Sequence, residues 1–138
     1  MVAKDRFHQA VKNALSKAQW EITHDPLSIQ IGSTDLFIDL AAHRLIAAEK
    51  DQEKIAVEIK SFVSPSLIYE FHTAMGQFLN YRLALQEKHS DRTLFLAVPN
   101  DIYTSFFSTR LVQLAVKTYH LQLLIYEAEM EEIVKWVK

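Results

Sequence analysis

Asp39 and the tripeptide Glu58-Ile59-Lys60 are the residues of this chain best suited to chemistry on a phosphate. They lie in Leu36-Phe37-Ile38-Asp39-Leu40 and Ile55-Ala56-Val57-Glu58-Ile59-Lys60, two runs that otherwise read as buried strands. An isolated buried ion is costly, so charge in such runs implies a partner or a metal. Successive strand residues point to opposite faces, which projects Glu58 and Lys60 together while Val57 and Ile59 enter the core. The carboxylates of Asp39 and Glu58 are hard oxygen ligands suited to Mg²⁺, with Mn²⁺ as a substitute, and the Ile59 carbonyl is a further candidate ligand. An ion held there would polarise a phosphodiester and lower the pKa of its water. Lys60 would orient that water or stabilise the charge that develops on the phosphate.

Composition alone predicts about one acid-x-Lys tripeptide, and one is present. The weight therefore rests on its setting: mid-strand, after a strand with an embedded aspartate, and before a long helix. A salt bridge in a half-exposed strand is the plain alternative. Asp35 and Glu49 are other candidate first carboxylates, but neither sits as centrally in an apolar run.

The elements that must hold these residues follow from periodicity. Lys4 to Gln19 places Phe7, Val11, Ala14, Leu15 and Ala18 at helical spacing, with Asp5, His8 and Lys12 on one polar stripe. Trp20 to His24 is β-prone, and Pro26, Gly32 and Ser33-Thr34 mark turns around Leu27 to Ile31. Strands are expected at Leu36–Ala41 and Ile55–Phe62, separated by a charged link over 49–54. A helix from Ser66 to Lys88 carries Leu67, Phe71, Ala74, Phe78 and Leu85 as its apolar stripe. Thr93 to Val98 suits a strand buried on both faces. A helix from Tyr103 to Tyr119, a strand at Gln122–Tyr126 and a terminal helix over Met130–Val137 complete the chain. The order αβββαβαβα implies an α/β protein with a mixed β-sheet flanked by helices, in a single domain over 1–138.

Several classes are disfavoured. A net charge of −2 is not that of a protein that coats nucleic acid, so any DNA-binding surface is local or supplied by a partner. Cysteine is absent, which removes disulfides and thiolate chemistry. The six histidines lack paired zinc-ligand spacing, and two glycines cannot build a phosphate-cradling loop. No apolar run approaches the roughly 18–20 residues that span a bilayer, so a cytoplasmic location with no membrane partner is expected.

Asp39…Glu58-Ile59-Lys60 resembles the active-site signature of the PD-(D/E)xK, or restriction-endonuclease-like, superfamily, with Ile38 where proline is usual. The predicted helix–three strands–helix–strand order resembles its shared core. The resemblance implies a Mg²⁺-dependent DNA endonuclease or nickase with catalytic Asp39, Glu58, Lys60 and Gln77. It makes Tyr81 an auxiliary residue, since a Gln-x-x-x-Tyr pair on the helix after the lysine strand lies beside the site in many members. The plain alternative for Gln77 and Tyr81 is the polar edge of an amphipathic helix. Asp5 and His8 are further auxiliary candidates, because the superfamily often brings an acid from its first helix towards the metal.

A closer resemblance covers nearly the whole chain. Asp5-Arg6-Phe7-His8, Ile22-Thr23-His24-Asp25-Pro26-Leu27, Ile55 to Phe62 and Gly76-Gln77-Phe78-Leu79-Asn80-Tyr81-Arg82 are similar to the XisH family. Its members, mostly cyanobacterial, are known as fdxN element excision controlling factors. The resemblance implies a role in programmed excision of a DNA element, with DNA, a small XisI-type companion and, indirectly, a site-specific recombinase as partners. It also admits a homodimer. The competing expectation is a non-catalytic accessory protein on a nuclease-like fold.

Overall fold

The computed structural model describes residues 3–46 and 51–138, with side chains over 6–44 and 52–138. One mixed six-stranded sheet runs through it in the order β1-β4-β5-β6-β7-β8. Its strands are β1 (Glu21–His24), β4 (Leu40–Ile46), β5 (Asp51–Ile59), β6 (Arg92–Pro99), β7 (Leu123–Glu127) and β8 (Glu132–Val137). β5, β6 and β7 are parallel, while β1 and β4 on one side and β8 on the other pair antiparallel. A second, two-stranded sheet is the hairpin of β2 (Leu27–Ile31) and β3 (Thr34–Ile38). Its turn passes through Gly32 at φ 59°, a left-handed conformation that favours glycine.

Alternation along the strands divides the core in two. Leu40, Ala42, Ile55, Val57, Phe95, Ala97, Leu124 and Tyr126 face helix α1 (Ala3–Lys17), which buries Val11 and Leu15 against them. The opposite face, through Ala41, Ala56, Leu94, Leu96, Val98, Leu123 and Ile125, meets the hairpin and helix α2 (Leu67–Lys88). Phe71, Ala74, Phe78 and Leu85 are the buried stripe of α2, and a side chain the size of Phe78 contributes about 2–3 kcal/mol by leaving water. Ser66 caps α2, its hydroxyl accepting from the Tyr69 N–H at 3.3 Å. No helix among the described residues is long and apolar enough to cross a membrane.

Four expectations are corrected. The run 36–41 is not one strand: it breaks at Asp39, and β3 and β4 belong to different sheets. β5 already begins at Asp51, where a charged link was expected; Arg44 and Glu53 pair across β4 and β5 at 2.9 Å, so these charges serve as cross-strand partners. Glu49 lies outside the described residues. The helix expected over 103–119 is divided into α3 (Asn100–Thr104), a 3₁₀ turn (Phe106–Ser108) and α4 (Arg110–Thr118). Hydroxyls of Ser105, Ser108 and Thr109 donate to the carbonyls of Asp101, Ser105 and Phe106, competing with helix propagation. Finally, Met130–Val137 is not a helix, and its Ile-Val-Lys-Trp-Val run forms edge strand β8. A register shift opposite Ile125 and Tyr126 interrupts the period-two pattern, which is why the strand does not read as one.

Candidate functional site

A single residue, Asp39, separates the end of β3 from the start of β4. The β4–β5 ladder closes at Leu40 opposite Val57, so Glu58 and Ile59, still paired with Leu96 and Ala97 of β6, have no strand partner on the β4 side. Asp39 takes that place. Its Oδ2 accepts from the Ile59 N–H at 2.8 Å, and its own N–H donates to Glu58 Oε1 at 3.3 Å. On a strand a residue's N–H and C=O point the same way, so the Ile59 carbonyl is also on the Asp39 side. The 19-residue separation in sequence thus becomes a direct contact.

Glu58 is 5% exposed and is the one buried charged side chain among the described residues. Burial pushes its carboxyl up to about 8, and the charge of Asp39 adds to this; the Lys60 ammonium acts in the opposite direction. The negative charge of Asp39 beside the buried Glu58 carboxyl is the like-charge arrangement that favours the neutral form of Glu58. Lys60 Nζ lies 3.8 Å from Glu58 Oε2 on the same strand face.

A divalent ion is a chemical alternative to the proton that Glu58 retains. Among the described residues no three or more His, Asp or Glu side chains cluster as a metal-binding set. The donor set is therefore two carboxylates and a carbonyl, all oxygen. It fits Mg²⁺, which binds through one or two carboxylates and keeps several waters. A pocket of about 30 Å³ lined by Phe7, His8, Asp39, Ile59 and Ser61 adjoins it, with room for water but not for a substrate group.

The other sequence candidates are placed as follows. Gln77 lies on α2, which covers the Glu58 face of the sheet, and its Oε1 is buried without a hydrogen-bond partner among the described residues. Tyr81 follows one turn later; burial and the charges of Glu58 and Asp39 raise its phenol above the ordinary value. His8 lines the small pocket with Asp39, but its Nε2 is engaged at 2.7 Å by Asp25, which Lys12 also binds at 2.8 Å. Burial works upward on Asp25, yet the hydrogen bonds from Lys12 and His8 outweigh it and hold the carboxyl below its usual range. The side chain of Asp5 lies outside the described residues. Asp35 is exposed on β3 opposite Gln30, away from the Asp39 contacts.

Two residues in this neighbourhood were not singled out from sequence. Asp25 ties together His8 and Lys12. Glu70, in the first turn of α2, feels the charge of Lys60 and shares the helix face of Gln77 and Tyr81 at spacings of seven and eleven. That spacing was available in the sequence as a signal.

The XisH protein family model matches residues 1–134. The chain belongs to the XisH family. An XisH family protein from Nostoc punctiforme PCC 73102 has a solved structure with 46% sequence identity and a TM-score of 0.89, covering 97% of this chain and 100% of that one. A protein from Anabaena variabilis described as an fdxN element excision controlling factor is 44% identical with a TM-score of 0.89, covering 97% of this chain and 99% of that one. No curated protein matches.

Proposed function

We propose that this XisH protein acts in programmed site-specific excision of a DNA element, as a Mg²⁺-dependent endonuclease or nickase of the PD-(D/E)xK type. The observation that carries the reading is the reciprocal bonding of Asp39 with Glu58 and Ile59, with Lys60 on the Glu58 face. The excision role is supported by the family and by the description of the Anabaena variabilis relative. Between α1 and α2 the chain has five strands where three were expected, with the β2–β3 hairpin set apart from the main sheet; β1, β4 and β5 of that sheet, followed by α2 and β6, support a restriction-endonuclease-like reading.

Asp39, Glu58 and the Ile59 carbonyl would hold Mg²⁺ or Mn²⁺. When bound, the ion supplies Lewis acidity to the scissile phosphate and acidifies its water. The backbone N–H groups of Ile59 and Asp39, donating to the Asp39 and Glu58 carboxylates respectively, fix the donor geometry. Lys60 places its ammonium where negative charge develops on the phosphoryl oxygens. Gln77 and Tyr81 border this face from α2, and His8 borders the small pocket from α1. With a net charge of −2, DNA affinity is modest and an XisI-type companion or the recombinase contributes to loading.

The test is nicking of supercoiled plasmid by purified protein with and without Mg²⁺. Wild type cuts, and Lys60→Ala loses at least 100-fold, consistent with about 3 kcal/mol of transition-state stabilisation. Full activity in Lys60→Ala refutes the assignment.

A second reading, the non-catalytic partner platform, is favoured by one feature. Ile31, Leu36, Leu83 and Ala84 line an apolar groove of about 400 Å³ between the hairpin and α2, beside exposed Leu79. Under that reading excision in cells survives Asp39→Ala and fails with Leu83→Asp.

A further inference from the structure

His8 projects from α1 and Asp25 follows β1, 17 residues later, yet their side chains meet. His8 Nε2 lies 2.7 Å from Asp25 Oδ1, and Lys12, one turn further along α1, donates from Nζ to Asp25 Oδ2 at 2.8 Å. Burial works upward on the Asp25 carboxyl, but the hydrogen bonds from Lys12 and His8 prevail and keep it ionised. An ionised carboxylate only accepts hydrogen bonds, so the His8 nitrogen that meets it carries the proton. In the neutral ring Nδ1 is then a lone-pair acceptor. Asp25 is the hydrogen-bond partner of the His8 ring among the described residues, which leaves Nδ1 open to another group.

The second observation is a cavity. His8 lines the pocket of about 30 Å³ beside the candidate site, together with Phe7, Asp39, Ile59 and Ser61. A space of that size suits a single water, which needs two to four polar partners to stay in place. They are present here. His8 Nδ1 and the Asp39 carboxylate can accept its two hydrogens, and the Ser61 hydroxyl can donate to its oxygen. The Ile59 N–H, donating to Asp39 Oδ2 at 2.8 Å, fixes that carboxylate at the pocket wall.

We infer that Asp25 is a positioning residue for His8: with Lys12 it holds the ring so that Nδ1 accepts from one water lodged against Asp39. This deepens the proposed function and rests on its reading of Asp39. A simple ion pair would require no particular tautomer, and Asp25→Asn separates the two roles. Asparagine has one acceptor oxygen, and Lys12, which can only donate, takes it. The amide then turns to His8, whose Nε2 must accept and whose proton moves to Nδ1. Asp25→Glu keeps both acceptor oxygens.

The decisive experiment records long-range ¹H–¹⁵N spectra of ¹⁵N-histidine-labelled, metal-free protein at pH 8, with His8→Gln assigning the resonance. It is paired with a crystal structure of the wild type and plasmid nicking kinetics. Wild type and Asp25→Glu show the Nε2–H tautomer, and Asp25→Asn shows Nδ1–H. The crystal structure holds a water about 2.8 Å from Nδ1, and kcat of Asp25→Asn falls by about 10-fold or more with KM for DNA unchanged. A doubly protonated or Nδ1–H ring in wild type, an unchanged tautomer in Asp25→Asn, or a dry pocket overturns the inference. So does an unchanged kcat in an active enzyme. If wild type cuts no DNA, the nuclease reading falls by itself, and the tautomer and the water still decide the role of Asp25.

Discussion

Glu58→Gln isolates the electrostatic core of this account, because the amide keeps the shape of the side chain and can still accept from the Asp39 N–H. In the metal-free fold the Glu58 carboxyl is raised from 4.5 to about 8 by burial and by Asp39. The folded chain therefore holds this proton to higher pH than the unfolded chain does. Stability from this group is full below the unfolded value and is lost as pH rises towards about 8. Each pH unit in that window is worth about 1.4 kcal/mol, which sets an upper bound of about 4–5 kcal/mol. Glu58→Gln removes the titration. Urea unfolding in EDTA, followed through the fluorescence of Trp20 and Trp136, should show the two proteins alike near pH 5. At pH 8.5 the variant should be more stable by about 2–4 kcal/mol. Saturating Mg²⁺ at pH 8.5 should stabilise wild type by about 3 kcal/mol at 100 times its Kd and the variant by no more than about 1.4 kcal/mol at the same concentration. A pH-independent difference, or a variant less stable at pH 8.5, would refute the picture of a buried Glu58 carboxyl held neutral beside Asp39.

Other consequences follow from packing. Phe107, fully buried among Phe62, Phe71 and Phe106, should cost about 3–5 kcal/mol on substitution by Ala, read from the urea midpoint. The Arg92 guanidinium donates to the carbonyls of Ala42 and Ile55 at 3.2 and 2.9 Å. Arg92→Met leaves both unserved and should cost about 2–3 kcal/mol, with hydrogen exchange accelerated in β4 and β5. Asp25→Asn breaks ion pairs that are partly exposed, so its loss should stay under about 1 kcal/mol; a larger loss in thermal melts would contradict that assessment.

The site was legible where charge interrupts apolar strands, since burial makes such interruptions expensive. Asp39, Glu58 and Lys60 stood out for that reason, and the pairing of Leu40 with Val57 explains how 19 residues of separation close. The stripe of α2 was equally plain from Phe71, Ala74, Phe78 and Leu85. The break at Asp39 was not, because a chain that switches sheets keeps an unbroken apolar pattern on both sides of the switch. β8 was misread because its register shift mixes both faces of the strand into one irregular spacing. Serines and threonines that stop α3 and α4 act through backbone hydrogen bonds that hydrophobic periodicity does not register. Glu70 went unnoticed because an acid in the first turn of a helix has an ordinary explanation in the helix dipole. Arg92 braces strands from a distance of 50 residues, a relation no local pattern encodes.

The central claim is that Asp39 and Glu58 form one divalent-metal site. Its most direct measurement is a Mn²⁺ titration at pH 8 followed by electron paramagnetic resonance, comparing wild type with Glu58→Gln. The account predicts about one bound ion per chain, competed by Mg²⁺, and at least a 10-fold weaker affinity in the variant. Equal binding by the two proteins, or none by wild type, would contradict it.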